Sequence, residues 1–196
     1  MARSSVDKIP VPIVRDYGDI MALVWEGKAF HINNPTIGTG VTGQTSYAAT
    51  LSTFTFRNLS SNRIMVPLYC LLYQTGTVGG GRITIHVSTL ETSQFTSGTA
   101  VTAYNLNQQS QSAATVLAFH TATLPTFTTG NQRLVNTLDL FQTVTAANSN
   151  NPIDAFAGGT PGFVGVRPGG QLDVYTLAAS TGPTWFFNIA WAELEI

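Results

Sequence analysis

The chain has 196 residues, of which 43% are hydrophobic and 10% charged, with a formal net charge of −1. That length suits one domain, alone or with an extension, and the charge balance excludes an electrostatic nucleic-acid binder, which needs a basic patch to displace counterions. Cys70 is the single cysteine, so no intrachain disulfide framework can form, and no stretch reaches the roughly eighteen apolar residues of a membrane helix.

Lys8 and Lys28 are the only lysines. Solubility must therefore rest on Ser, Thr, Asn and Gln, a surface that fits an all-β protein made for exposure or for packing against neighbours. The opening "MARSSVDKIPVPIVRDYGD" lacks the unbroken apolar core of a secretory signal, so the expectation is a protein made in a cytoplasm without a cleaved leader. In "KIPVPIV" the alternating prolines forbid a helix and favour an extended path. Ile9, Pro10, Val11, Pro12, Ile13 and Val14 are accordingly expected to form an arm. "YGDIMALVWEGKAFHI" fits either a short helix or a strand pair, and "IGTGVTGQT" reads as a linker. The expected division is an arm and linker over residues 1–45 and a sandwich over 46–196.

Beyond that point the pattern is strand, turn, strand. "STFTFRNL" sets Phe54 and Phe56 on one face. "RIMVPLYCLLYQT" is a long apolar strand in which Pro67 marks an edge, a bulge or a bend, and Cys70 within it reads as a buried structural thiol. "RITIHVSTL" alternates cleanly and is expected to form a hairpin with the strand before it. "TVLAFHTATL" is a strand, "NQRLVNTLDLFQTV" a strand or short helix, and "GFVGVRPGGQLDVYTLA" two strands about a Pro-Gly-Gly turn. Roughly eight strands with almost no helix predict a β-sandwich, the jelly roll first and an Ig-like Greek key second.

No chemistry assembles from the sequence. His31, His86 and His120 are widely separated, and "ITIHVSTLE" has only one histidine of a His-x-His metal pair, so no metal or other cofactor is expected. The closest acid pairs, Asp16 with Asp19 and Glu193 with Glu195, read as solvated surface groups rather than a glycosidase dyad. No serine sits in a nucleophile elbow, "GTVGGGR" lacks the ending of a phosphate loop, and the glycosylation triplet at Asn58 is too short to weigh. No catalytic residue is expected. Trp25, Tyr104 and Tyr175 are candidate exposed aromatic platforms for sugars.

The last strand, "TWFFNIAWAELEI", is apolar on both faces. Trp185, Phe187, Ile189 and Trp191 form one side and read as core, while Phe186, Asn188, Ala190, Ala192 and Leu194 lie on the other. An antiparallel sheet commonly packs one face on its core, so the second face needs a cover. Those five residues are expected at a subunit interface of a closed homo-oligomer, the small alanines permitting close approach. Part of the cover could instead come from the N-terminal extension of the same chain.

The segment "GVRPGGQLDVYTLAASTGPTWFFNIAWAELEI" resembles the tail of jelly-roll virion proteins of tailed bacteriophages, head decoration (cement) proteins among them. The likeness covers about a sixth of the chain. It implies a trimer on the capsid exterior whose arm reaches the major capsid protein, with no catalytic residues, no direct nucleic-acid contact and no membrane. Alternatives are a small capsomer-forming coat protein and the glycan- or receptor-binding head of a tail fibre, with an enzyme last.

Overall fold

A computed structural model describes residues 17–36, 38–75, 81–88, 97–126, 132–140, 153–156, 165–178 and 184–196. Helix α1 (Tyr17–Trp25) precedes the strands β1 (Ala29–Asn33), β2 (Val41–Thr42), β3 (Leu51–Asn58), β4 (Arg63–Thr75), β5 (Gly81–Ser88) and β6 (Ser97–Val101). They are followed by β7 (Tyr104–Asn105), β8 (Val116–Thr123), β9 (Gln132–Leu140), β10 (Ile153–Asp154), β11 (Gln171–Ala178) and β12 (Thr184–Glu195).

The strands form two antiparallel sheets packed as a sandwich. Sheet A runs β10-β4-β12-β1-β7, with β2 beside β12, and sheet B runs β6-β8-β3-β11-β5-β9. The pairing is nested: β1 pairs β12, β3 pairs β11, β4 pairs β10 and β5 pairs β9. The chain changes sheet at eight of the eleven connections between these strands, so each sheet contains strands from both ends of the sequence.

Three expectations change here. Strands β4 and β5 do not form a hairpin, because β4 gives its long edge to β12 in sheet A while β5 lies between β11 and β9 in sheet B. The sandwich also begins before residue 46: β1 is inserted between β12 and β7, and β2 pairs with β12. The open choice at "YGDIMALVWEGKAFHI" resolves as a helix followed by a strand. Gly27 separates them at φ 69°, with its N–H on the Val24 carbonyl and the Lys28 N–H on the Leu23 carbonyl, both at 2.9 Å. That is a Schellman cap, which needs a left-handed residue and hence glycine.

Pro67 marks a bulge. Ala190 pairs with Tyr69 and Trp191 with Pro67, leaving Leu68 as the extra residue. The slip explains why Met65 and Leu72, seven positions apart, both reach the core. The Pro-Gly-Gly turn closes through the Gly170 N–H on the Arg167 carbonyl at 2.9 Å, with Gly169 at φ 73°. Proline then glycine at the central positions is what a type II turn requires.

The core lies between the sheets. Phe54 and Phe56 from β3 meet Trp185, Phe187, Ile189 and Trp191 from β12, all buried as expected. Phe54 tilts against Phe187 at 4.8 Å, and Phe56 meets Trp191 edge-on at 5.6 Å. Such pairs add about 0.5–1.5 kcal/mol each beyond the area they bury.

Candidate functional site

The outward face of sheet B is covered by its own chain over β3 and β11, while Leu117 on β8 and Leu134 on β9 stay exposed. Gln44 pairs with the end of β11, its N–H on the Thr176 carbonyl at 2.8 Å and its carbonyl on the Ala178 N–H at 2.9 Å. The following loop lays Tyr47 on Tyr175, with ring centres 5.1 Å apart, and the Tyr175 hydroxyl donates to the Ala49 carbonyl at 3.0 Å. Ala122 and Leu124 complete a small second apolar cluster with Tyr175. Tyr175 is therefore buried rather than an exposed platform. Beneath this cover Thr55 Oγ1 donates to Asp173 Oδ1 at 2.8 Å, and Gln171 Nε2 donates to the same oxygen at 2.8 Å.

The outward face of sheet A is different. Cross-strand register places Phe186 opposite Tyr73, Asn188 opposite Leu71 and Ala190 opposite Tyr69 on one surface. Tyr73 is 37% exposed, Tyr69, Leu71, Phe186, Asn188 and Leu194 are half-buried, and the Tyr69 hydroxyl donates to Asn188 Oδ1 at 3.4 Å. Ala190 and Ala192 are fully buried within the single chain. A subunit interface on this face would therefore be built by Phe186, Asn188 and Leu194 with β4, not by the two alanines. Strand β12 is hydrogen-bonded on both edges, by β4 and β1, so it has only its face to offer a partner. Residues Ile9, Pro10, Val11, Pro12, Ile13 and Val14 lie outside the described residues.

On the same face, at its β1–β7 edge, where His31 pairs with Ala190 and Asn33 with Asn188, an open cleft of about 520 Å³ is lined by His31, Asn33, Tyr104 and the loop after β7. Tyr104 is 55% exposed, and its ring lies 6.1 Å from that of His31. The His31 Nδ1 is buried without a hydrogen-bond partner. Trp25 is exposed at the end of α1, where its carbonyl accepts from Asn107 Nδ2 at 3.2 Å.

The reactive side chains are dispersed. His31 lies on β1 and His120 on β8, in different sheets, and the described residues contain no group of three His, Cys, Asp or Glu placed to hold a metal. Burial lowers the His120 pKa. No described helix is long and apolar enough to cross a membrane. Asn58 is buried, its amide donating to the Arg63 and Val166 carbonyls at 2.8 Å each, so the acceptor asparagine of the glycosylation triplet is enclosed.

Glu193 overturns its reading as a solvated group. It is 2% exposed and accepts from the N–H of Thr115 at 2.9 Å, the N–H of Val116 at 3.1 Å and Trp191 Nε1 at 3.2 Å. Its partner in sequence, Glu195, remains exposed. Cys70 is buried as expected, and burial, with Asp154 nearby, pushes its thiol well above the ordinary range. Iodoacetamide at neutral pH is thus expected to label Cys70 only in urea-unfolded protein, read by intact mass. Rapid labelling of the native chain would show instead that the thiol is accessible.

No protein-family model matches the chain, and neither the curated proteins nor the solved structures contain a match to it.

Proposed function

We propose that this chain is a non-enzymatic structural protein of a bacteriophage particle. In this reading it is a head-decoration subunit that assembles as a homotrimer and stabilises the capsid by burying apolar surface against the major capsid protein. Its place of work is the virion surface, after synthesis in the host cytoplasm.

The observation that carries the reading is the half-open aromatic strip of sheet A, Tyr69, Leu71, Tyr73 and Phe186. The centre of sheet B, at β3 and β11, shows that this sequence can cover an outward strand face with its own chain. A strip left half-open in one chain suits a partner, because burying a Phe side chain fully is worth about 1.5–3 kcal/mol, and contiguous apolar patches mark interaction sites. The nested pairing supports the jelly-roll part of the proposal: first strand with last, and so inward, is how an eight-stranded roll of two Greek keys is wound. The extra strands β2, β6, β7 and β8 extend that scheme. The arm at residues 9–14 would serve as an added strand on a neighbouring sheet edge.

Light scattering on the full-length protein is expected to give three times the mass of one chain. Phe186→Asp is expected to reduce this to the mass of one chain with an unchanged far-UV spectrum, since a carboxylate sealed into a closed contact without a partner costs several kcal/mol. A monodisperse monomer from the unaltered protein would remove the homotrimer and, with it, the main support for a capsid role.

A further inference from the structure

We infer that the cleft at the β1–β7 edge is a binding site for a neutral carbohydrate, on the outward face of sheet A beside the strip proposed for assembly. No charged side chain lines it. The adjacent lysine, Lys28, is paired with Glu26 at 2.8 Å and stands outside the lining, so phosphates, sulfates and carboxylates find no counter-charge there. What lines the cleft is an aromatic ring, an imidazole, amides and a hydroxyl.

The walls are braced before any ligand arrives. Asn105 Nδ2 donates to the Gly27 carbonyl at 2.8 Å and to the Ser112 carbonyl at 3.3 Å, while its Oδ1 accepts the Asn107 N–H at 2.8 Å. Asn107 in turn accepts the Gln109 N–H at 3.0 Å. Ser110 sits directly on the helix cap: a Cβ at Gly27 would stand 2.3 Å from its Oγ. The loop is therefore cross-linked to the end of α1, and little ordering remains to oppose binding.

Other groups are left for the ligand. Asn33 and Gln108 are exposed, and their amides are uncommitted among the described residues. The burial of His31 Nδ1 leaves Nε2 as the outward polar atom of its ring. The exposed Tyr104 is held on the sheet by backbone pairing of β7 to β1. A pyranose has the complementary chemistry: a C–H face that lies flat on an aromatic ring, edged by hydroxyls that both donate and accept, as amides and imidazole do. The cleft volume falls within the range of small-ligand sites.

The test is an array of neutral and acidic glycans followed by saturation-transfer NMR with the methyl glycosides of the sugars retained, using the full-length protein, Tyr104→Ala and Asn33→Ala. Both positions are exposed, so the variants are expected to melt with the parent. Binding to at least one neutral glycan, weakened roughly tenfold or more in Tyr104→Ala and more modestly in Asn33→Ala, is the expected result. Three outcomes overturn the inference: no neutral glycan retained, binding confined to acidic glycans, or binding of equal strength in the Tyr104→Ala protein. Asn33 pairs with Asn188 of the proposed interface, so the scattering mass of each variant is measured alongside: lost glycan binding at unchanged mass belongs to the cleft, and a changed mass with binding retained belongs to assembly.

Discussion

Glu193→Ala is expected to destabilise the fold by about 3–5 kcal/mol, the largest effect of any single polar substitution we anticipate. The Glu193 carboxylate projects inward from β12 in sheet A and grips the start of β8 in sheet B. It accepts both backbone N–H groups of Thr115 and Val116, the Thr115 hydroxyl at 2.5 Å and the Trp191 indole. Arg63 Nη1 stands 3.7 Å away as its nearest cation. Removing the carboxylate leaves three buried N–H groups without an acceptor, each costing about 1–3 kcal/mol, and unties the two sheets at one corner. Glu193→Gln keeps one carbonyl oxygen and should lose only about 1–2 kcal/mol. Urea denaturation of the three proteins gives the comparison directly. Near-equal midpoints for the parent and Glu193→Ala would mean that the clamp contributes nothing net.

That residue also shows where sequence reading succeeds and where it stops. Two-residue periodicity correctly sent Trp185, Phe187, Ile189 and Trp191 to the core. The same parity applied one step further puts Glu193 on the core side, and only the habit of treating carboxylates near a chain end as solvated hid it. Pro67 left an edge, a bulge or a bend open, and the structure has a bulge there. The strand partners were not legible: β4 and β5 are consecutive and apolar, yet lie in different sheets, because pairing is decided by which long strand offers the best partner, and β12 lies more than a hundred residues away. Residues 29–42 looked like extension because β1 and β2 are short and flanked by glycine and proline. Of the aromatic candidates, Trp25 and Tyr104 are exposed and Tyr175 is buried. Nothing local distinguishes them, since the burial of Tyr175 comes from a loop more than 120 residues earlier.

The two outward faces give one physical account of this composition. With few charges available, the centre of sheet B carries outward a hydrogen-bonded ladder of Thr55, Gln171 and Asp173 under a loop of its own chain. Sheet A carries aromatics outward and leaves them half-covered. A chain with so little charge has two ways to handle surplus β surface, internal polar pairing and contact with another molecule, and the proposal assigns the first to the centre of sheet B and the second to the face of sheet A.

Asp173 gives that ladder a measurable signature. Burial drives its carboxyl up to about 7, against the opposing pull of the Thr55 and Gln171 hydrogen bonds and the Arg57 charge. In the unfolded chain the same group ionises near its ordinary value of 3.8. Below that value both states hold the proton, and the site contributes its full stability. Between about pH 4 and pH 7 the unfolded state releases a proton that the folded state retains, so stability falls as pH rises, then levels off above about 7. A displacement of about three pH units corresponds to roughly 4 kcal/mol. The expected result is that the stability gap between the parent and Asp173→Asn changes by this order between pH 4 and pH 8, with the variant gaining at the alkaline end, because an amide never ionises and still offers Oδ1 to Thr55 and Gln171. Chemical denaturation of both proteins across that range isolates the contribution, since every other titrating group is common to the pair. A gap that opened the other way, with the parent favoured as pH rises, would mean that Asp173 is held ionised by Arg57, making the ladder a buried ion pair rather than a protonated hydrogen-bond network.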